Sequence, residues 1–284
     1  MNITVTEFSL TRFDELVPLL MRCFPDFWEP RLKLGLRSFP YDLKLFTAEL
    51  DSRLFGCIGL HDYPFFMDDS IVRCYGVSDV AVDPDFRGNG YSHDLQRFVL
   101  AYSRDKAASG FLPLYTDKPG VYKRLGWTVY ESDRSTEIRT EDFPKGKTFR
   151  FETGKIRLSF LRGGTPAESP EEKTASAIVK LYESGHCFNG KCDRSGKTWW
   201  ELFADPEYEW QLDENVYYLY RGDVLYEAYS SEPGHPVSRF TPRHGGHDSN
   251  KVMVNFSKIS NQKEEEISAA VKAGTLVFPA ADVF

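Results

Sequence analysis

The segment Cys74 to Ser92 constrains the fold more than any other part of the chain. Cys74 to Val82 reads as a buried strand, and Asp83 to Gly90 as a charged turn with glycines at 88 and 90. Tyr91 to Ala108 then places Leu95, Phe98, Val99 and Tyr102 at helical spacing. A strand that passes through such a turn into a helix lets backbone N–H groups and the positive end of the helix dipole converge on a diphosphate. Glycine lets the backbone approach the anion, and Arg87 can add a charge-assisted hydrogen bond. The turn Arg87-Gly-Asn-Gly-Tyr-Ser92 is not a Walker loop, since no Gly-Lys-Ser/Thr ends it, nor is it the dinucleotide G-x-G-x-x-G.

Around this segment the chain divides in two. Asn2 to Phe8 alternates like a strand, and Thr11 to Asp14 opens a helix that carries Leu16, Leu19, Leu20 and Phe24. Leu43 to Leu50 and Arg53 to Leu60 form a hairpin across Asp51-Ser52. After the central helix come a strand (Phe111 to Tyr115), a short helical turn (Gly120 to Leu125) and another strand (Trp127 to Glu131). Thr140 to Thr148 and Gly163 to Ser169 read as connections, which gives domains over 1–145 and 146–284. In the second part Glu171 to Ser184 and Thr198 to Phe203 are helix-like. Val216 to Tyr220 and Val224 to Tyr229 make a hairpin that suggests a divergent duplication of helix plus hairpin. No second glycine-rich turn follows it, so one cofactor site is expected. Lys251 to Ile259 is a strand and Lys263 to Lys272 a helix, before an apolar tail.

Composition narrows the partners. The chain has 284 residues, 41% hydrophobic and 27% charged, enough to build a sizeable core. A net charge of −7 disfavours nucleic acid or an anionic membrane as partner and would suit a cationic substrate. Neither a signal-peptide pattern nor an apolar run of ~20 residues occurs, so a cytoplasmic location is expected. Five scattered cysteines do not make a disulfide framework. Neither His186 with Cys187 and Cys192 nor the cluster His235, His244 and His247 has the spacing of a metal site, and no metal is expected.

The run Val77 to Ser92 resembles motif A of the GNAT superfamily of acyltransferases, whose pattern is Arg/Gln-x-x-Gly-x-Gly/Ala, with serine at 92 as the departure. Val121-Tyr-Lys-Arg-Leu-Gly-Trp127 is similar to that family's Tyr-x-x-Leu-Gly-Phe ending. Glu171 to Tyr229 resembles the central domain of Eis (enhanced intracellular survival) type acetyltransferases, a degenerate second GNAT fold, here with a shortened carboxyl-terminal region. The resemblance implies an α/β (α+β) GNAT fold, a mixed twisted sheet flanked by helices, followed by a degenerate GNAT-like domain. It also implies acetyl-CoA as acyl donor, bound by Val80, Ala81, Val82, Arg87, Gly88, Asn89, Gly90, Tyr91 and Ser92. Homo-oligomers are common in the Eis type.

Amide formation from a thioester needs a neutral amine, and a lysine-like amine of pKa ~10.4 must first lose a proton. By the resemblance the base is the terminal carboxylate of Phe284, with Asp26, Glu29 and Asp79 as further candidates, and Tyr122 is the general acid for the departing thiolate. The Val80 N–H is the expected oxyanion donor. Phe24, Phe27, Trp28, Phe65 and Phe66 fall where the family borders its acceptor pocket, with Asp26 and Glu29 supplying negative charge; core packing is the competing role. The acceptor is expected to be a primary amine on a small cationic molecule such as an aminoglycoside, or a peptide lysine. The alternatives are another acyl-CoA, a protein amino terminus, or a non-catalytic CoA-binding module.

Overall fold

The computed structural model describes residues 3–33, 35–39, 43–67, 70–106, 111–130, 147–152, 155–161, 165–184, 194, 196–222, 224–230, 251–256, 265–267 and 269–270. Four antiparallel strands form the first sheet in the order β1 (Thr4–Phe8), β2 (Leu43–Leu50), β3 (Arg53–Met67) and β4 (Ser70–Val82). Asp51 and Ser52 join β2 to β3 with φ of 50° and 63°. Two left-handed residues in succession give the tight turn whose twist matches the flanking strands. Alternation along the strands then builds a core on each face. Phe46, Phe55, Ile58 and Leu60 cluster with Leu95 and Val99 of a helix over Tyr91–Lys106, while Leu45, Cys57 and Ala81 cluster with Leu16, Leu20 and Trp28.

The second face is covered by α1 (Phe13–Cys23) and α2 (Pro25–Lys33), the first by α3 (Tyr91–Lys106). Helix α2 was not expected from its composition, since it holds Pro25 and Pro30. Pro25 stands at the first helical position, where its missing N–H costs nothing, and burial of Trp28 supplies what propensity does not. From α3 the chain enters β5 (Phe111–Thr116), α4 (Gly120–Lys123) and β6 (Thr128–Tyr130).

The second region holds α5 (Leu158–Leu161), α6 (Pro170–Ser184), α7 (Gly196–Ala204) and the antiparallel sheet β7 (Tyr208–Leu212), β8 (Val216–Arg221), β9 (Val224–Ser230). Its core is aromatic: Tyr182, Trp199, Phe203, Trp210, Tyr217 and Tyr229 are buried together. Within it Arg194 pairs with Glu227, which also accepts from the Tyr217 hydroxyl. One strand crosses the boundary drawn at 145/146. β10 (Lys251–Phe256) lies between β5 and β6, antiparallel to both. All described strand pairs are antiparallel. No parallel pair of the expected mixed sheet occurs among the described strands, and β4 and β5 are neighbours without pairing.

Candidate active site

The gap between β4 and β5 is a cavity of about 670 Å³. Val77 to Val82 of β4, Leu114 and Thr116 of β5, the turn at Arg87, Gly88, Gly90, Tyr91 and Ser92, and Tyr122 of α4 all line it. Its shape begins with an irregularity in β4. Gly59 opposes Ser78 and Cys57 opposes Ala81, so Asp79 and Val80 together face Ile58, and Asp79 takes φ 49°. Such a bulge adds a residue to one strand and bends it. Because β4 is the edge of its sheet among the described strands, the backbone groups on its outer side face the cavity.

Beyond β4 the turn is anchored by charge. The buried carboxylate of Asp83 accepts from the Asp85 N–H at 3.0 Å, Arg22 at 2.9 Å and Arg53 at 3.1 Å. Arg22, and then Arg53, hold the Asp85 carboxyl below the usual carboxylate range. Gly88 and Gly90 have φ of 84° and 83°, a backbone that side-chain-bearing residues rarely adopt. The Gly90 carbonyl accepts from His93 N–H at 2.9 Å and caps α3. The first-turn N–H groups of Tyr91 and Ser92 have no acceptor within the helix and border the cavity.

At the other end, His93 Nε2 donates to the Val121 carbonyl at 3.1 Å and ties the start of α3 to α4. Tyr122 on α4 is buried, with its ring edge-on to Trp127 at 6.0 Å. Burial pushes its phenol up to about 12, against a hydrogen bond with the Thr116 side chain that acts in the opposite direction. The phenol is therefore protonated at neutral pH and able to donate. His61, buried beneath Gly76, is pushed down to about 3 by burial and stays neutral.

The structure brings Val80, Ala81, Val82, Arg87, Gly88, Gly90, Tyr91, Ser92 and Tyr122 to one cavity, while Asn89 sits on the outside of the turn and donates to the Phe86 carbonyl at 3.1 Å. The Arg87 side chain turns back to donate to the Val82 carbonyl at 3.0 Å. The expected acceptor residues fare differently. Trp28 is fully buried between Phe13 and Phe39 and is a core residue, because a ring of that size offers more on burial than at a pocket rim. Asp26 and Glu29 are exposed, Glu29 pairing with Lys33 at 2.8 Å, and neither lines the cavity. Phe65 is buried, Phe27 is exposed, and Phe24 reaches the cavity. Phe284, the Phe66 side chain, the segment with His186, Cys187 and Cys192, and the three later histidines lie outside the described residues. Among the described residues no His, Cys, Asp or Glu group is placed to hold a metal ion, and no helix is long and apolar enough to cross a membrane.

Sequence reasoning did not find Cys23, Thr116, Asp117 and Lys118, which also line the cavity. Thr116 to Lys118 follow a strand end that opens beside the glycine turn, and that position was the available signal. Residues 4–130 match the family described as an acetyltransferase (GNAT) domain.

That match covers fewer than half of the 284 residues. Solved structures extend the likeness of fold past residue 130. A GCN5-related N-acetyltransferase from Kribbella flavida is 16% identical, with 90% of this chain and 71% of that one covered and a TM-score of 0.53. A GCN5-related N-acetyltransferase from Anabaena variabilis gives 12%, 90%, 73% and 0.53 on the same measures. Eis1 from Mycobacterium abscessus is 17% identical over 82% of this chain and 60% of its own, with a TM-score of 0.50. No curated protein matches the chain. At these identities the likeness is one of fold.

Proposed function

We propose that the chain is an acetyl-CoA-dependent N-acetyltransferase that acetylates a primary amine, on a small cationic molecule of aminoglycoside type or on a peptide lysine, by direct attack. One observation carries this reading: the cavity between β4 and β5, which do not pair with each other, joins a glycine turn at a helix start to the buried Tyr122 phenol. The residues present fit acetyl-CoA, because the two left-handed glycines leave open space above them and the β4 edge is free to pair. Acetyl-CoA supplies the thioester carbonyl. The N–H groups of the Gly88 to Ser92 turn hold its diphosphate, with Lys118 adding charge, and the outer edge of β4 takes its amide-bearing arm.

The Val80 N–H, set by the bulge, donates to the carbonyl oxygen as negative charge develops there. Tyr122 donates its proton to the departing thiolate. Asp79, beside Val80 on the cavity wall, is assigned to the charge and proton of the incoming ammonium, and the net charge of −7 favours a cationic acceptor. The second region reads as an Eis-like degenerate repeat, with no second glycine-rich turn after its hairpin. The test is thiol release from acetyl-CoA against polyamines, aminoglycosides and lysine peptides, with wild type beside Tyr122→Phe. Turnover on an amine that falls in the variant supports the reading, and CoA binding without turnover on any amine replaces it with a non-catalytic binding module.

A further inference from the structure

We infer that Glu201 of α7 is a positioning residue for the cofactor cavity and acts through Arg31 of α2. The two side chains are 2% and 6% exposed, and Arg31 Nη2 donates to Glu201 Oε2 across the junction of the two regions. Ser38, just past α2, donates its hydroxyl to the other carboxylate oxygen at 3.2 Å. The guanidinium lies over the rings of Phe27 at 5.1 Å and Trp28 at 5.7 Å. Among the described residues Glu201 is the carboxylate paired with Arg31. A cation enclosed by aromatic rings keeps its charge only beside a counter-charge, so the pair fixes α2 against α7.

From α2 the constraint reaches the cavity through short contacts. The Phe24 carbonyl accepts the N–H groups of Trp28 at 3.1 Å and Phe27 at 3.3 Å, which makes Phe24 part of the start of α2. Phe24 and Cys23 line the cavity. Cys23 Sγ lies 3.5 Å from the Val82 carbonyl and 3.8 Å from Arg87 Nη2. The second region thus holds the part of the wall beside the end of β4 in place, and among the described residues it supplies no lining residue of its own. This rests on the reading that the cavity takes CoA.

The full chain carrying Glu201→Gln keeps the size of the side chain and removes its charge. CoA titrated without acceptor is expected to bind about 5- to 10-fold more weakly, with kcat at saturating acetyl-CoA within about 2-fold of wild type. Alkylation of Cys23, followed in its proteolytic peptide, is expected to be several-fold faster. Glu201→Asp retains the charge one methylene away and is expected to fall between, which decides the matter if Glu201→Gln does not fold. Unchanged CoA affinity and unchanged Cys23 alkylation in a folded variant overturn the inference. Wild-type protein that does not bind CoA overturns the cofactor reading instead, and the alkylation rate still decides the link from Glu201 to Cys23.

Discussion

Arg87 and Val82 are joined by a hydrogen bond from the guanidinium Nε to the strand-end carbonyl, at 3.0 Å, and Cys23 Sγ shares that carbonyl at 3.5 Å. The carbonyl lies on the edge assigned to the arm of CoA, and the Arg87 side chain is exposed and free to change partner. A guanidinium that leaves a carbonyl for a diphosphate exchanges a neutral acceptor for a charged one. Arg87→Ala is therefore expected to weaken CoA binding about 10-fold, equivalent to about 1.4 kcal/mol. Titration at two salt concentrations checks this, since the variant should also show the weaker salt dependence.

Tyr122 packs on Trp127 and is assigned as the proton donor, and the two roles can be separated. Tyr122→Phe keeps the packing on Trp127 and removes the donor, so kcat is expected to fall by about 10²-fold with little change in melting temperature below pH 9. The pH dependence has a definite sign. Burial raises the folded-state phenol to about 12, above its unfolded value of ~10, so the wild type gains stability below pH ~10 and loses it as pH rises toward 12. Thermal unfolding between pH 9 and pH 12 should fall more steeply for wild type than for Tyr122→Phe.

Gly90 takes a left-handed backbone and lines the cavity assigned to CoA. Alanine at φ 83° is strained although nothing crowds its Cβ, so Gly90→Ala is expected to cost about 1–2 kcal/mol. Denaturant unfolding measures that cost, and CoA titration should show a parallel loss because the first N–H groups of α3 shift with it.

Glu172 predicts behaviour in acid. Arg157 and the backbone N–H groups of Glu168 and Arg157 hold its carboxyl down to about 2. With an unfolded value of ~4.3, its stabilisation is complete above pH ~5 and is lost as pH falls toward 2. Glu172→Gln should lower the melting temperature by several degrees at pH 7 and flatten the decline between pH 5 and pH 2. Melting curves across that range test it.

Local pattern made much of the first sheet and the glycine turn legible. Asp51-Ser52 marked the hairpin, and Leu95, Phe98 and Val99 marked α3, because alternation and helical spacing are written in neighbouring residues. The acceptor side was less legible. Asp26, Trp28 and Glu29 share one short helix, and whether each faces core or solvent depends on Phe13 and Phe39, which lie far off in sequence or beyond the helix end. The bulge at Asp79 had no local signal beyond the tolerance of aspartate for left-handed backbone. Arg31 and Glu201 are 170 positions apart, and no periodicity pairs them.

The place of β10 has a consequence for how the chain is made. Its residues 251–256 complete a sheet whose other two strands, β5 and β6, leave the ribosome well before them. At elongation of about 5–20 residues per second, those two strands wait several seconds with no strand between them. Unpaired edges of that kind are templates for the wrong neighbour. A chain that stops before Lys251 lacks the one described strand that pairs with both β5 and β6, and leaves those two edges open.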